Sequence, residues 1–289
     1  MKSIIFALAA SVMGQPIYNC DPYEAPPRPD NDISKLNPAH VELVMAMGDS
    51  ISAAFAAKAG IQEDRDIAWS CGIGNKDYKT FPWYVSQYNP DVEGMSTKRA
   101  IPMNFTHLPH GDYHKKTDHL NFAESSGATH LGSMDEQWAL MQGKRKEYPD
   151  FDTKWKVLTV WMTANDIMGK CKDDVNGTSY MKHQMEKYDE LLTNITTTMG
   201  NVYVNFIATF DLSYVHKAEQ TKAYCKNLHE YILHEGGCID AKDVTDKELD
   251  MLDHNIHVFN QELHKMAQKW HEKLQADGRK DVAVQMQPF

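Results

Sequence analysis

Four short apolar runs, spread along the whole chain, most constrain how this sequence can fold. They are VELVMAM at 41–47, KVLTVWM at 156–162, VYVNFIA at 202–208 and DVAVQM at 281–286. Their length suits strands, and their lack of alternation suits strands that are buried on both faces. Helical patterns lie between them, so strand alternates with helix along the chain. This order predicts a parallel sheet covered on both faces, with functional residues at the carboxyl ends of its strands.

Two segments carry a clear helical period. In residues 246–276 large apolar side chains recur every three or four positions, and Thr245 or Asp246 can cap the start. A second pattern covers residues 180–199. Residues 75–155 show no sustained period, so we expect them to form loops over the functional edge of the sheet. No internal repeat or linker divides the chain, which predicts a single domain.

The first residues have the composition of an export signal. Lys2 precedes about ten apolar or small residues. Val12 and Gly14 then suit a cleavage site before Gln15. We predict a signal peptide over 1–14, an extended proline-rich arm over 15–40 and one α/β domain over 41–289. The expected location is outside the cell or in a lumen, with membrane anchoring if a C-terminal segment follows.

Cysteine usage agrees with an oxidising compartment. Five cysteines occur and no two form a CxxC motif: Cys20, Cys71, Cys171, Cys225 and Cys238. This pattern predicts one or two disulfides and a remaining thiol, with the connectivity left open, and it does not indicate a metal site. Three acceptor motifs for N-glycosylation begin at Asn104, Asn176 and Asn194.

The charge balance excludes one large class of partners. The chain of 289 residues has a net charge of −10, and no basic stripe interleaved with aromatic residues stands out. Both features argue against binding to nucleic acid. After the signal, no apolar run approaches the roughly 18 residues that a membrane span requires. We therefore expect the mature chain to be soluble.

Small polar residues follow two of the predicted strands. MAMGDSISAAF places Ser50 directly after the first strand and before an alanine-rich segment, where we expect a strand-to-helix turn. An ordinary N-cap serine would suit this position equally well. WMTANDIM places Asn165 after another strand, and NFAESSGATHLG contains Gly127, whose backbone can approach a ligand closely. A hydroxyl, a glycine N–H and an amide at one edge match the needs of acyl transfer, which develops a negative oxygen.

The sequence resembles the GDSL (SGNH) hydrolases, and most closely their phospholipase B branch. GDS at 48–50, SGA at 126–128 and AND at 164–166 follow the order of the family's first three blocks. The resemblance extends from PPRPDN near the start to VAVQMQPF at the end. It implies a three-layer α/β/α SGNH-hydrolase fold, flavodoxin-like, with a parallel central sheet.

The same resemblance implies an activity. Ser50 would be the nucleophile of a serine ester hydrolase, and its own N–H, the Gly127 N–H and the Asn165 side-chain amide would form the oxyanion hole. The implied substrates are phospholipids or other carboxylic esters, and the implied mechanism uses no metal and no cofactor. Contact with a membrane surface would then be peripheral.

Two features depart from the family pattern. Thr163 stands where the third block usually begins with glycine, so we expect an added side chain near the site. The family's last block, an Asp-x-x-His that supplies the catalytic base, is absent, since none of the 14 histidines follows an aspartate by three positions. In the family that block comes shortly after a stretch like VAVQMQPF. We therefore expect the sequence to be truncated and this chain to be nearly inactive, because serine without a base is a poor nucleophile.

Several histidines and acidic residues are alternative sources of chemistry. His257, His264 and His271 repeat every seven residues and would lie about 10 Å apart along a helix, which favours a solvated flank over a shared site. Asp166 is better explained as a structural hydrogen-bonding residue than as an acid. A denser cluster of histidines and aspartates consists of His107, His110, Asp112, His114, Asp118 and His119. Their spacing matches no known metal-ligand motif, so a metal site there is the weaker interpretation.

Two alternatives to the phospholipase B-like esterase remain. The first is a catalytically inactive SGNH-fold protein that binds lipid or glycan, in which Thr163 and the missing block reflect loss of function. The second is an acetyl esterase that acts on carbohydrate, with the same mechanism and a different acyl pocket.

Overall fold

A parallel sheet forms the centre of the molecule. The computed structural model describes residues 23–58, 60–100, 116–228, 238–239 and 243–288. Within them the strands are β1 (Leu43–Gly48), β2 (Lys156–Trp161), β3 (Val202–Ile207) and β4 (Val282–Gln287). All neighbours are parallel, in the order β1-β2-β3-β4. The strands coincide with the four apolar runs, so the predicted sheet is confirmed.

Helices separate the strands. They are α1 (Phe81–Ser86), α2 (Ser133–Lys144), α3 (Ala164–Ile167), α4 (Ser179–Thr198), α5 (Ser213–Thr221), α6 (Ala223–Leu228) and α7 (Asp246–Ala276). Thr245 caps α7 in a reciprocal box with Glu248, which satisfies two backbone N–H groups at the helix start. The two helices that the periodicity predicted correspond to α4 and α7.

The sheet is covered on both faces. Along β1, Leu43, Met45 and Met47 pack into the larger apolar cluster, which also contains the buried sides of α2, α4 and α7. The alternate residues Val44 and Ala46 pack into a smaller cluster; its other buried members are Val41, Cys71, Val85, Val92 and Val157. Because successive side chains of a strand point to opposite faces, this division places helices and loops on both sides. The fold is therefore the expected α/β/α arrangement around a parallel sheet.

The outer side of β1 is also occupied. Isolated parallel bridges join Leu43 to Glu93 and Ala46 to Asn121, so irregular segments continue the sheet beyond β1. Gly94 makes this approach possible, since a Cβ at its position would lie 2.3 Å from the Val44 carbonyl oxygen. As a result β1 is buried along its full length, as is β2, which lies between β1 and β3.

Two predictions about local structure were wrong. No helix follows Ser50: residues 50–58 form turns, with Ala54 and Ala56 at positive φ. The backbone there forms short turn bonds within the segment and also bonds to the segment 62–64, for example Asp64 N to Ala54 O at 2.9 Å. Residues 75–155 are not all loop, since they include α1 and α2. The buried face of α2 is largely polar, which explains why no apolar period revealed it.

The described part of the N-terminal arm lies along the amino ends of the strands. Arg28 donates to Glu42 and to the Thr153 carbonyl, both at 2.8 Å. Ile33 N donates to Lys280 O at 2.7 Å. The predicted signal peptide, residues 1–14, lies outside the described residues, and the domain boundaries remain predictions.

One disulfide joins Cys171 to Cys238, across 67 positions of sequence. Cys71 is a buried thiol, and Cys225 is a partly exposed one. Cys20 lies outside the described residues. In the same described part of the chain, no helix is both long and apolar enough to cross a membrane.

Candidate active site

The carboxyl ends of β1 and β2 bring the first and third sequence blocks together. Gly48, the last residue of β1, pairs in register with Trp161, the last residue of β2. The Asp49 N–H then donates to the Trp161 carbonyl oxygen at 3.2 Å. Ser50 follows β1 and Asn165 follows β2 by only a few residues. Both therefore emerge at the same edge, as the parallel sheet predicted.

Ser50 sits in a tight turn directly after β1. Ala53 N donates to Asp49 O at 3.0 Å, and Phe55 N donates to Ser50 O at 2.9 Å, so the chain curls once around the serine. The residue is partly exposed, whereas Asp49 and Ser52 on either side of it are fully buried. The turn thus offers one serine to solvent and hides the next.

Gly127 belongs to a loop that lies against this turn. The Glu124 N–H donates to Gly48 O at 3.1 Å. A Cβ at Gly127 would lie 2.8 Å from that same Gly48 oxygen and 3.3 Å from the Asp49 Cα. Only glycine permits such an approach, so the loop that carries the second block is held directly on the first.

Asn165, on α3, links the third block to the second. Its side-chain Nδ2 donates to the Gly127 carbonyl oxygen at 2.8 Å. The structure therefore brings the predicted residues Gly127 and Asn165 into contact, beside the Ser50 turn. The Gly127 N–H itself donates to Glu124 O at 3.0 Å. To donate to an oxyanion, the Gly127 N–H would have to share or give up its bond to Glu124 O. The Asn165 amide has a second N–H that is available for an oxyanion.

Asp49 is a buried ionisable group inside the turn. Its Oδ1 accepts from Ile51 N at 2.9 Å, and its Oδ2 has no hydrogen-bond partner among the described residues. Burial raises the pKa of Asp49 to about 7; the Ile51 N–H opposes this rise and the nearby Asp166 carboxylate adds to it. The sequence pattern drew attention to Ser50 and missed this neighbour, although it lies in the same short motif.

Asp166 and Thr163, which flank Asn165 in sequence, are both buried. Asp166 is buried, and its Oδ2 accepts from Thr129 N at 3.0 Å, which agrees with the predicted structural role. Thr163 is also buried, with its hydroxyl 3.4 Å from the Tyr188 hydroxyl in the apolar core. Thr163 does add a side chain, on the core side of the strand end, and its expected influence on the site stays a prediction. The third block begins on the core side of the strand end, and only Asn165 reaches the edge.

Gln137 is a site residue that the sequence did not reveal. It lies on α2, is fully buried, and pairs with the backbone of Gly48 through two bonds. The Gly48 N–H donates to Gln137 Oε1 at 2.9 Å, and Gln137 Nε2 donates to Gly48 O at 2.8 Å. This pairing locks the last residue of β1, and with it the start of the turn. A single polar residue without a motif leaves no signal that could have identified it.

A second feature lies farther along the same edge. A cavity of about 910 Å³ opens at the carboxyl ends of β3 and β4, between residues 208–211, α7 and the end of β4. His257 lines it, with Nε2 2.8 Å from Asp211 Oδ1, and the His257 side chain is 61% exposed. His264 lines the cavity as well. The predicted solvated flank is confirmed for His257, but this histidine also has an acidic partner.

The remaining histidine-rich segment is only partly described. His107, His110, Asp112 and His114 lie outside the described residues. Asp118 is buried, with Oδ1 3.8 Å from Arg65 Nε. Among the side chains that the structure describes, no group of three or more His, Cys, Asp or Glu is arranged to hold a metal ion.

Comparison with known proteins identifies the family of this chain. The family model described as GDSL-like Lipase/Acylhydrolase matches residues 44–289. The chain is 24% identical over 284 residues to "Phospholipase B1, membrane-associated" of Homo sapiens, covering 93% of this chain and 17% of that protein. It is 25% identical over 275 residues to the Mus musculus protein of the same name, covering 89% and 16%. The chain thus spans about a sixth of the length of these curated relatives. The match over most of its length shows that the chain belongs to the GDSL-like lipase/acylhydrolase family.

Proposed function

We propose that this chain carries the nucleophile and the oxyanion donors of a serine ester hydrolase of the phospholipase B type. The observation that supports this most is the convergence of three separate sequence blocks on one sheet edge. Gly127 packs against the backbone of the Ser50 turn, and Asn165 donates to Gly127 at 2.8 Å. The family membership supports the same class of chemistry.

The proposed reaction proceeds through an acyl-enzyme. The Ser50 oxygen attacks the ester carbonyl carbon while its proton passes to a base, and the carbonyl oxygen becomes negative. The Ser50 N–H, the Gly127 N–H and the Asn165 amide stabilise that oxygen, and each such donor typically contributes about 3 to 4 kcal/mol. The C–O bond then breaks, and the alcohol leaves with a proton. Water hydrolyses the Ser50 ester by the same steps and releases the acid.

The base is the component that this proposal still requires. Among the described residues, no histidine ring forms a hydrogen bond with the Ser50 hydroxyl, and the sequence contains no Asp-x-x-His block. Small imidazole in solution can replace a missing histidine when the rest of the site is assembled, because it has a suitable pKa and can reach a partly exposed serine. Chemical rescue is therefore the natural test.

The substrate class is proposed from the relatives and from the edge of the sheet. Phospholipids or other carboxylic esters fit the family, and the cavity beside β3 and β4 offers room for part of an acyl chain. Contact with lipid would be peripheral, by the loops around the edge. Nucleic acid is not a proposed partner, since the net charge is −10. The proposed chemistry uses no cofactor, and the signal-like N-terminus supports secretion or delivery to a lumen.

One observation favours a second candidate, an inactive protein that binds lipid or glycan. The Gly127 N–H, one of the proposed oxyanion donors, already donates to Glu124 O at 3.0 Å. One N–H of the Asn165 amide is likewise bonded to Gly127 O. A site that keeps these bonds would bind an ester but would stabilise the negative oxygen less, because the Gly127 N–H would not reach it.

Labelling by a fluorophosphonate separates the two candidates. We expect the purified chain to label slowly, to label faster with added imidazole, and to lose the label in Ser50→Ala. Ser52→Ala is the matched control, because this serine lies in the same turn but is fully buried and should leave labelling intact. Hydrolysis of phosphatidylcholine vesicles and of a soluble p-nitrophenyl ester, each corrected for the Ser50→Ala background, then tests the substrate class. Saturable vesicle binding without any label at Ser50, with or without imidazole, would favour the binding protein.

A further inference from the structure

A buried ion pair lies directly behind the loop that carries Gly127. Glu63 and Arg65 have side-chain exposures of 5% and 6%, and Arg65 Nη2 lies 2.8 Å from Glu63 Oε2. Arg65 Nε donates to the same oxygen at 3.0 Å. The charged run EDRD at 63–66 would suit a solvated surface, yet here three of its members, Glu63, Asp64 and Arg65, are buried.

The other carboxylate oxygen of Glu63 binds the loop. Glu63 Oε1 accepts from Ser125 N at 3.1 Å and from the Ser125 hydroxyl at 2.7 Å. Ser126, the next residue, has a φ of 64°, a left-handed conformation that is unfavourable for a residue with a Cβ and persists only where its surroundings hold it. Gly127 follows. A charge-assisted anchor at Ser125 is therefore placed where the backbone needs support.

Glu63 is also tied to the nucleophile turn. Its backbone forms an antiparallel bridge with Phe55, whose N–H donates to Ser50 O at 2.9 Å. On its other side Glu63 exchanges two backbone bonds with Ala100, each at 2.9 Å. Glu63 is thus linked to the Ser50 turn through its backbone, and through its side chain it binds Ser125, which directly precedes the second block.

The arginine has its own fixed surroundings. Arg65 Nη1 donates to Asn121 O at 3.3 Å, and Asp118 Oδ1 lies 3.8 Å from Arg65 Nε. The Ser96 hydroxyl donates to Arg65 O at 2.7 Å, and Asn121 Nδ2 donates to Ser96 Oγ at 3.2 Å. Buried ion pairs add little net stability, because desolvation offsets their attraction. A buried ion pair whose polar atoms are all hydrogen-bonded can instead hold the surrounding backbone in one conformation.

We propose that Glu63, held by Arg65, is a positioning residue that fixes the Ser125–Gly127 loop against the Ser50 turn. This inference rests on the proposed function for its catalytic consequence, but the positioning itself is a structural statement. Loss of the Glu63 charge should release the loop while leaving the sheet intact. The amides of Gly127 and Ala128 are suitable reporters, since they donate to Glu124 O and Ser133 Oγ and do not touch Glu63.

Hydrogen exchange of the full chain tests the positioning. In Glu63→Gln we expect the Gly127 and Ala128 amides to exchange at least about tenfold faster, with peptides from β1 and β2 unchanged. Ser125→Ala, which removes only the hydroxyl bond, should give a smaller change of the same kind and serves if Glu63→Gln fails to fold. The control is Arg279→Met, which breaks a pair with Asp281 at the amino end of β4 and should leave both amides unchanged.

The catalytic consequence has a separate readout. With imidazole present, we expect Glu63→Gln to lower kcat for a soluble ester about tenfold while KM stays within about threefold, because the bound substrate gains nothing from the loop until charge develops. Unchanged exchange at Gly127 and Ala128 in both variants would overturn the inference, whatever Ser50 does. Faster exchange in a protein whose Ser50 never labels would leave the positioning standing and would contradict the proposed hydrolase.

Discussion

Two strand ends of this sheet are held by the same device, with different results. At the end of β1, the Gln137 amide of α2 pairs with both backbone groups of Gly48. Just after β3, the Asn260 amide of α7 pairs with both backbone groups of Thr209, at 2.8 and 3.0 Å. In each case a side-chain amide acts as one more peptide unit of the sheet and satisfies groups that the strand leaves unpaired.

The surroundings distinguish the two ends. Gln137 is fully buried, and the backbone beyond it enters the tight turn around Ser50. Asn260 borders the open cavity of about 910 Å³ together with His257 and Asp211. The closed side, at the end of β1, fixes the positions of the proposed catalytic atoms. The open side, at the end of β3, leaves room for a ligand. The same pairing of a side-chain amide with the backbone therefore fixes the geometry at the end of β1 and borders an open cavity at the end of β3.

The largest expected effect comes from breaking the closed side directly. Gly127→Ala places a Cβ 2.8 Å from Gly48 O and 3.0 Å from Glu124 O, so the loop must move off the turn. We expect the rate of fluorophosphonate labelling at Ser50, measured with imidazole, to fall about 10³-fold. Gly143→Ala is the control, since it is exposed on α2 with open space around it and should keep the rate while stabilising the helix by up to about 1 kcal/mol. Equal labelling rates in the two variants would contradict the proposed role of the loop.

The next effect concerns the buried charge of the closed side. Because the pKa of Asp49 is about 7 in the folded protein and near 3.8 when exposed, the folded state binds the extra proton between these values. The stability that Asp49 contributes is therefore present below about pH 4 and is lost as the pH rises to about 7, by roughly 4 kcal/mol at most. Asp49→Asn cannot titrate.

Unfolding midpoints in urea, followed from pH 4 to pH 8, measure this difference. We expect the stability of Asp49→Asn relative to the parent protein to rise steadily up to about pH 7 and then to level off. His40→Gln, at a buried histidine of the N-terminal arm, provides a comparison far from the turn. Parallel pH curves for Asp49→Asn and the parent protein would refute the assignment of a raised pKa.

The third prediction concerns the two side-chain amides, Gln137 and Asn260, that pair with the strand ends. Gln137→Ala and Asn260→Ala each remove two bonds to backbone groups, and we expect each to lower the free energy of unfolding by about 1 to 3 kcal/mol. Only Gln137→Ala should slow labelling at Ser50, by about tenfold, because only Gly48 leads into the nucleophile turn. Urea unfolding and labelling rates on the same samples separate stability from positioning. Slower labelling in Asn260→Ala would show that the two ends are coupled.

The smallest expected effect is at Thr163. Its hydroxyl faces Tyr188 in the core at 3.4 Å, so Thr163→Ser keeps the polar contact and removes one methyl group. We expect a loss of about 1 kcal/mol or less in stability and no change in the labelling rate. A changed preference between short and long p-nitrophenyl esters would instead place this side chain in the substrate site.

The sequence alone determined the framework of the molecule. Continuous apolar runs identified all four strands, and the three- and four-residue period with Thr245 as cap identified α7, because burial on a sheet or helix face imposes a period on the sequence. Parallel topology then placed Ser50 and Asn165 at one edge. These are consequences of local pattern and of a simple rule for strand ends.

Only the tertiary structure decided how that edge is held. Gln137, the Glu63–Arg65 pair and the buried carboxylate of Asp49 belong to no periodic pattern, since a buried polar residue is stable only where distant groups satisfy it. The alanine-rich segment after Ser50 favours a helix by composition, yet its backbone groups bond to residues 62–64 and it forms turns. Local propensity differs by a few tenths of a kcal/mol per residue, so long-range hydrogen bonds and packing outweighed it.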